Sequence, residues 1–166
     1  MRTDLVTQLP ILKKKYLYFK NYAGQTINDI FDAEKLKTSI HRNIYELRSS
    51  VLINKGNGKF DLMPLPQEAQ LAPIYALSLN DFDHDGKIDI LTGGNLSRSK
   101  PEMGTYLASK GLLLRGTGKG NFTPMPAIQS AFKANGEMRD MLIIHHGNEQ
   151  WLVASMNNEN LKIFKF

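Results

Sequence analysis

Asp81, Asp83, Asp85 and Asp89 fall within one short stretch, Asp81-Phe82-Asp83-His84-Asp85-Gly86-Lys87-Ile88-Asp89. Carboxylates spaced by two and then by four residues suit a loop that folds back around a hard cation. Left alone they repel, by roughly 1 kcal/mol per close pair in water and about 4 kcal/mol where solvent is partly excluded. Calcium takes about six to eight oxygens in flexible geometry, and this loop can offer Asp81, Asp83, Asp85, the Lys87 carbonyl and a bidentate Asp89. Gly86 supplies the sharp turn. The bland alternative is an acidic, solvated hairpin tip that holds no metal.

An EF-hand would need a glutamate at the twelfth loop position and amphipathic helices on both sides. Thr92 stands at that position. The flanks, Ile74-Tyr75-Ala76-Leu77-Ser78-Leu79 and Ile88-Asp89-Ile90-Leu91-Thr92, are short apolar runs bounded by turn residues, which predicts strand, loop, strand.

Such a loop needs a sheet to hold it, and the rest of the chain supplies the pattern of one. Strands are expected at about 44–54, 59–63, 74–79, 88–93, 111–115, 121–125, 138–145, 150–155 and 160–165. Asn57-Gly58 signals a two-residue hairpin turn and Gly118-Lys119-Gly120-Asn121 a longer one. A shift of 62 residues superposes Gly56-Asn57-Gly58-Lys59-Phe60 on Gly118-Lys119-Gly120-Asn121-Phe122, Pro64 on Pro126, and the strand at Ile88 on the strand at Gln150. One register that aligns both a hairpin and a strand indicates stacked supersecondary units. The second copy lacks the acidic loop: Ile143, His145, Gly147 and Trp151 replace its four aspartates.

Residues 1–43 follow a different period. Leu5, Leu9, Leu12, Tyr16 and Phe19 recur at helical spacing, with Pro10 as a break or as the first turn of a second helix. Thr26 and Asp32 are candidate N-caps for short helices at Ile27–Phe31 and Ala33–Lys37. The fold expected is mainly β, an antiparallel meander of about two propeller-type blades (residues 44–166, in units of about 44–105 and 106–166), with the N-terminal helical segment packed on it. Four strands per blade and nine strands in all fall short of the four to eight blades that close a propeller.

The phrase from Leu79 to Ile90 resembles the calcium loop of FG-GAP and VCBS repeats, the blade units of integrin α-type β-propellers. Asp81, Asp83, Asp85, Gly86 and Asp89 stand at the matching positions. Leu52-Ile53-Asn54-Lys55-Gly56-Asn57-Gly58-Lys59-Phe60 is similar to the hairpin that joins the outer strands of such blades. More loosely, the chain from about Val6 onward looks like the C-terminal region of UnbV and cartilage-acidic-protein-like proteins of Bacteroidetes. The resemblance implies a non-enzymatic, calcium-stabilised module, extracellular, cell-surface or periplasmic, that binds a protein or glycan. It also implies packing against further blades or a second protomer. The rival reading is a fragment of a propeller enzyme acting on polysaccharide, and a third is a purely structural terminal cap.

Composition narrows the remaining classes. The chain has 166 residues, 42% hydrophobic and 22% charged, which is enough for one ordinary core. It has no cysteine, which removes disulfides, thiolate nucleophiles and zinc-thiolate sites. No apolar run is long enough to cross a bilayer. The start Met1-Arg2-Thr3-Asp4 lacks the order of a secretory signal, so the chain is either cytosolic or has its targeting segment elsewhere. The net charge of +5 is dispersed apart from Lys13-Lys14-Lys15, and no nucleic-acid module is recognisable.

Other candidates have simpler readings. Arg115-Gly116-Thr117-Gly118-Lys119-Gly120 fails as a phosphate loop, because Leu113 stands where a glycine is needed and Gly120 where a Ser or Thr should bind magnesium. His145 and His146 are adjacent on a strand and diverge. Asp140, Glu137 and these histidines are the loose catalytic candidates. Tyr16, Tyr18, Phe19, Tyr22 and Trp151 read as core or packing residues. Gly93-Gly94 suits a close approach between sheets, and Asn95-Leu96-Ser97 fits a glycosylation acceptor. The loop from Leu96 to Leu107 and the 128–137 connection are the first candidates for ligand contact.

Overall fold

The computed structural model describes residues 2–147 and 149–165. Met1, at the head of the expected helical segment, and Phe166, at the end of the β domain, lie outside them. The chain divides into two compact units, Met1–Tyr45 and Glu46–Phe166.

The first unit carries short helices, and the helical spacing that begins at Leu5 holds only as far as Lys13: Tyr16 lies between helical turns and Phe19 opens a separate 3₁₀ turn. Helix α1 spans Arg2–Gln8 and stops before Pro10, which opens the 3₁₀ turn Pro10–Lys13. A proline ring restricts the residue before it and is tolerated in a first turn, so Pro10 both ends one element and starts the next. Helix α2, Ile27–Ile30, begins after Thr26, whose N–H and hydroxyl both donate to the Asp29 carboxylate, at 2.8 and 2.7 Å. Helix α3, Ala33–Lys37, is capped by Asp32, which accepts from the Glu34 N–H at 2.9 Å. Of the aromatic cluster, only Tyr16 is fully buried, edge-on to Tyr22; Tyr18 and Phe19 are exposed.

The second unit carries nine strands among the described residues: β1 (Ser50–Gly56), β2 (Lys59–Pro64), β3 (Ile74–Asn80), β4 (Asp89–Gly94), β5 (Leu112–Gly118), β6 (Asn121–Met125), β7 (Met138–His146), β8 (Glu149–Met156) and β9 (Lys162–Lys165). All pairings are antiparallel, and the chain is mainly β, as expected. The first strand starts later than the expected 44. Glu46 turns back to accept from the Arg48 N–H and to pair with its guanidinium, a local bond that competes with the ladder. The partner strand, moreover, ends opposite Ser50 at Pro64.

The meander divides into sheets of two, four and three strands, β1-β2, β3-β4-β5-β6 and β7-β8-β9. Prolines set the division. Pairing runs through Pro64 and Pro124 to the Leu65 N–H and to Met125, and ends at Pro66 and Pro126, which have no N–H to extend a ladder. The chain then leaves for the next sheet through the 3₁₀ turn Gln67–Gln70 or the short helix α4, Ala127–Ser130. Both hairpins that precede these prolines have the same build. Asn57 and Gly58 in one, Lys119 and Gly120 in the other, have positive φ, as a type I′ turn demands. The second turn is therefore two residues long, not the longer loop expected.

The four-stranded sheet has apolar packing on both faces. Leu91, Leu113 and Ala76 pack with Met141, Leu152 and Ala154 of the three-stranded sheet. On the other side Ile90 and Leu114 pack with Leu65 and Val51. Strand β4 is consequently buried along its whole length. Gly93 lies so close to Met138 of β7 that a Cβ there would sit 2.3 Å from the Met138 sulfur, the close approach between sheets that the glycine pair suggested.

Leu91 is fully buried and Leu142 is 63% exposed. Leu91→Ala should cost about 2–5 kcal/mol. Leu142→Ala should stay within about 0.5 kcal/mol. Urea unfolding of the two variants checks the contrast.

Candidate metal centre

Strands β3 and β4 pair Asn80 with Asp89, so residues 81–88 form a closed loop at the end of the four-stranded sheet. Gly86 has φ of 83° and His84 of 59°, two left-handed residues that curl the loop on itself. Glycine accepts that conformation without cost, whereas His84 is an uncommon occupant.

Carboxylate oxygens of Asp81, Asp83 and Asp89 lie within 4.8 Å of one another. Asp89 is fully buried: its Oδ2 accepts from the Phe82 N–H at 2.9 Å and its Oδ1 from the Gly116 N–H of β5 at 2.8 Å. Asp81, half-buried, accepts from the N–H groups of Asp85 and Gly86 at 3.0 and 2.9 Å. Asp83 accepts from the Asp85 N–H at 3.1 Å.

Asp85 stands apart from that trio. Its Oδ1 accepts from the Lys87 N–H at 2.9 Å, and its Oδ2 lies 2.8 Å from the Lys87 ammonium and 3.1 Å from Arg115. Hydrogen bonding from Lys87, with the charges of Lys87 and Arg115, holds the Asp85 carboxyl below its ordinary range. The Lys87 side chain is thus the loop's own counter-charge. Arg115 bridges two aspartates, with Nε 2.5 Å from Asp83 Oδ2. Sequence reading missed Arg115, although a lone cation ending the run Leu112-Leu113-Leu114 was a signal. Four carboxylates against Lys87 and Arg115 leave an excess of two negative charges at the loop.

A second polar cluster joins the Leu96–Leu107 loop to β7. Glu137, only 6% exposed, accepts from the Ser97 N–H, from Asn157 Nδ2 at 2.7 Å and from the Arg139 guanidinium. The Ser97 hydrogen bonds, side chain and then backbone, bring its pKa down to about 2, with Asn157 and the Arg139 charge adding to the effect. Arg139 also lies over the Tyr75 ring. Asn95 is buried, donates to the carbonyls of Ser109 and Gly136 and accepts from the Ser109 N–H. Its amide is therefore committed to the interior, which removes it as a glycosylation acceptor.

The remaining sequence candidates are separated. Asp140 accepts from the neighbouring Met141 N–H. His145 and His146 are exposed on β7, the latter edge-on to Trp151. Trp151 is half-buried, not core, and donates to Glu149 at 3.0 Å. In the 128–137 connection Phe132 and Ala134 are buried in the core. The ends of the Leu96–Leu107 loop, bridged between Leu96 and Tyr106, line an open cavity of about 390 Å³ together with Leu47, Gln70, Leu71 and Tyr75.

Compared with protein-family models, curated proteins and solved structures, the chain matches none of them.

Asp89→Asn keeps the shape but offers one acceptor oxygen where two N–H groups need acceptors. The buried donor left facing an amide should cost about 1–3 kcal/mol, read by chemical denaturation with a chelator present, so that no ion contributes. Glu137 gives a pH signature. A carboxyl whose pKa is depressed stabilises the fold above its unfolded value of about 4.3 and loses that contribution as pH falls toward 2. Wild-type stability should drop between about pH 5 and about pH 2. Glu137→Gln should start lower and drop less over the same window.

Proposed function

We propose that this chain is a non-enzymatic, calcium-stabilised β module of FG-GAP type, part of a propeller-like stack, that serves as an extracellular or cell-surface binding domain. The observation that carries the reading is the convergence of Asp81, Asp83 and Asp89 within 4.8 Å on a loop closed by a buried carboxylate. The donor set suits a hard cation, because each carboxylate oxygen that accepts one N–H keeps a further lone pair. The two unbalanced negative charges match a divalent ion.

Asp81, Asp83 and Asp89 would hold the ion. Asp85 and the Lys87 carbonyl join them once Arg115 gives up Asp83 and Asp85. The ion's contribution is structural: it replaces repulsion with coordination and clamps the β3–β4 loop beside β5. Calcium sites in extracellular modules bind at about 10⁻⁴ to 10⁻³ M, which suits a calcium-rich surrounding. For the ligand, the cavity between Tyr75 and Tyr106 offers apolar and aromatic walls beside the Leu96–Leu107 loop, a surface fitted to a protein or glycan.

At about a hundred times the dissociation constant, calcium should add roughly 2.7 kcal/mol to stability. The melting temperature should therefore rise in millimolar calcium relative to chelator, and Asp83→Ala should abolish the rise. Superimposable melts of the wild type under the two conditions refute a structural ion.

A further inference from the structure

Two apolar sheet faces are left open, one on each end sheet. On the outer face of β7-β8-β9 the register sets Leu142, Val153 and Ile163 in one row across the strands, and Ile144 beside Trp151 in the next. Leu142, Ile144 and Ile163 are exposed. On the outer face of β1-β2, Leu52 stands opposite Leu62 and Phe60 follows on the same side, each more than half exposed. Exposed apolar side chains grouped on one face are the kind of surface through which proteins associate.

The 62-residue shift identifies what fits there. Leu52 corresponds to Leu114 and Phe60 to Phe122, which pack on the side of the four-stranded sheet that meets Val51 and Leu65. Val153 corresponds to Leu91, buried on the opposite side against Leu152 and Met141 of the next sheet. Leu152 in turn corresponds to Ile90, which shares its cluster with Leu114. The open face of β1-β2 is therefore of the same kind as the face that covers Leu91 inside the chain, and the open face of β7-β8-β9 is of the Leu91 kind. They are the two unlike halves of one contact that the molecule already makes internally.

We propose that a second copy of this chain supplies the missing half, the outer face of β7-β8-β9 on one copy seating on the outer face of β1-β2 of the next. Joining unlike faces makes the contact heterologous, so copies add head to tail. None of the loop aspartates takes part, and the assembly stands or falls separately from the calcium reading.

Sedimentation velocity of the full chain across a wide concentration range tests it. The wild-type coefficient should rise with concentration. Leu52→Asp and Leu142→Asp should each abolish the rise, with circular dichroism reporting an intact fold. Leu62→Lys and Ile163→Lys replace them if either unfolds. An equimolar mixture of the two variants should form a species of two copies and no larger, because each variant retains the face that the other has lost. A wild type that stays monomeric, a single variant that still associates, or a mixture that stays monomeric overturns the proposal.

Discussion

The Asp89 carboxylate is the point on which the β unit depends. It is fully buried at the head of β4 and joins three pieces of backbone: its own strand, the acidic loop through the Phe82 N–H, and β5 through the Gly116 N–H. A buried charge of this kind is tolerated only when its lone pairs are met. Gly116 is needed for the close approach of β5, since a Cβ there would lie 2.1 Å from the Ile88 carbonyl oxygen. With Asp89 fixed, the other aspartates inherit their places. Asp81 and Asp83 converge beside it, and Lys87 and Arg115 take up part of the charge.

The same strand organises the core. Leu91 and Ile90 face opposite sides of β4, and Leu113 and Leu114 do the same on β5, so the two apolar clusters of the unit lie on either side of this central strand pair. Below the strand's far end, Asn95 and Glu137 replace apolar packing with hydrogen bonds, tying the Leu96–Leu107 loop to β7 and to the turn at Asn157. An acidic loop at one end of β4 and a neutralised polar cluster at the other thus bracket the sheet. The wall of the Tyr75–Tyr106 cavity is continuous with the second of them.

Much of this was legible in the residues because it is local. Short apolar runs bounded by turn residues located the strands from Lys59 onward to within a few residues, Thr26 and Asp32 marked helix starts through hydrogen bonds that any isolated helix would use, and Asn57-Gly58 defined its own turn. What escaped depends on partners distant in sequence. Arg115 meets Asp83 only because β5 lies beside β4, and Glu137 reads as a free acid until Ser97 and Asn157 surround it. The division into two, four and three strands followed from prolines whose role was visible only when pairing showed which ladders they ended. The expected first strand failed at Glu46, where a side chain two residues away outcompeted a partner strand that had already stopped.

The central claim is that the loop's surplus negative charge is matched by a bound divalent ion. Calorimetric titration of calcium into the metal-free chain tests this most directly. Saturable binding of one ion per chain, lost in Asp83→Ala and strengthened in Arg115→Ala where the competing guanidinium is gone, is the result expected. Heats indistinguishable from dilution at millimolar calcium, or binding unchanged by removal of Asp83, would contradict it.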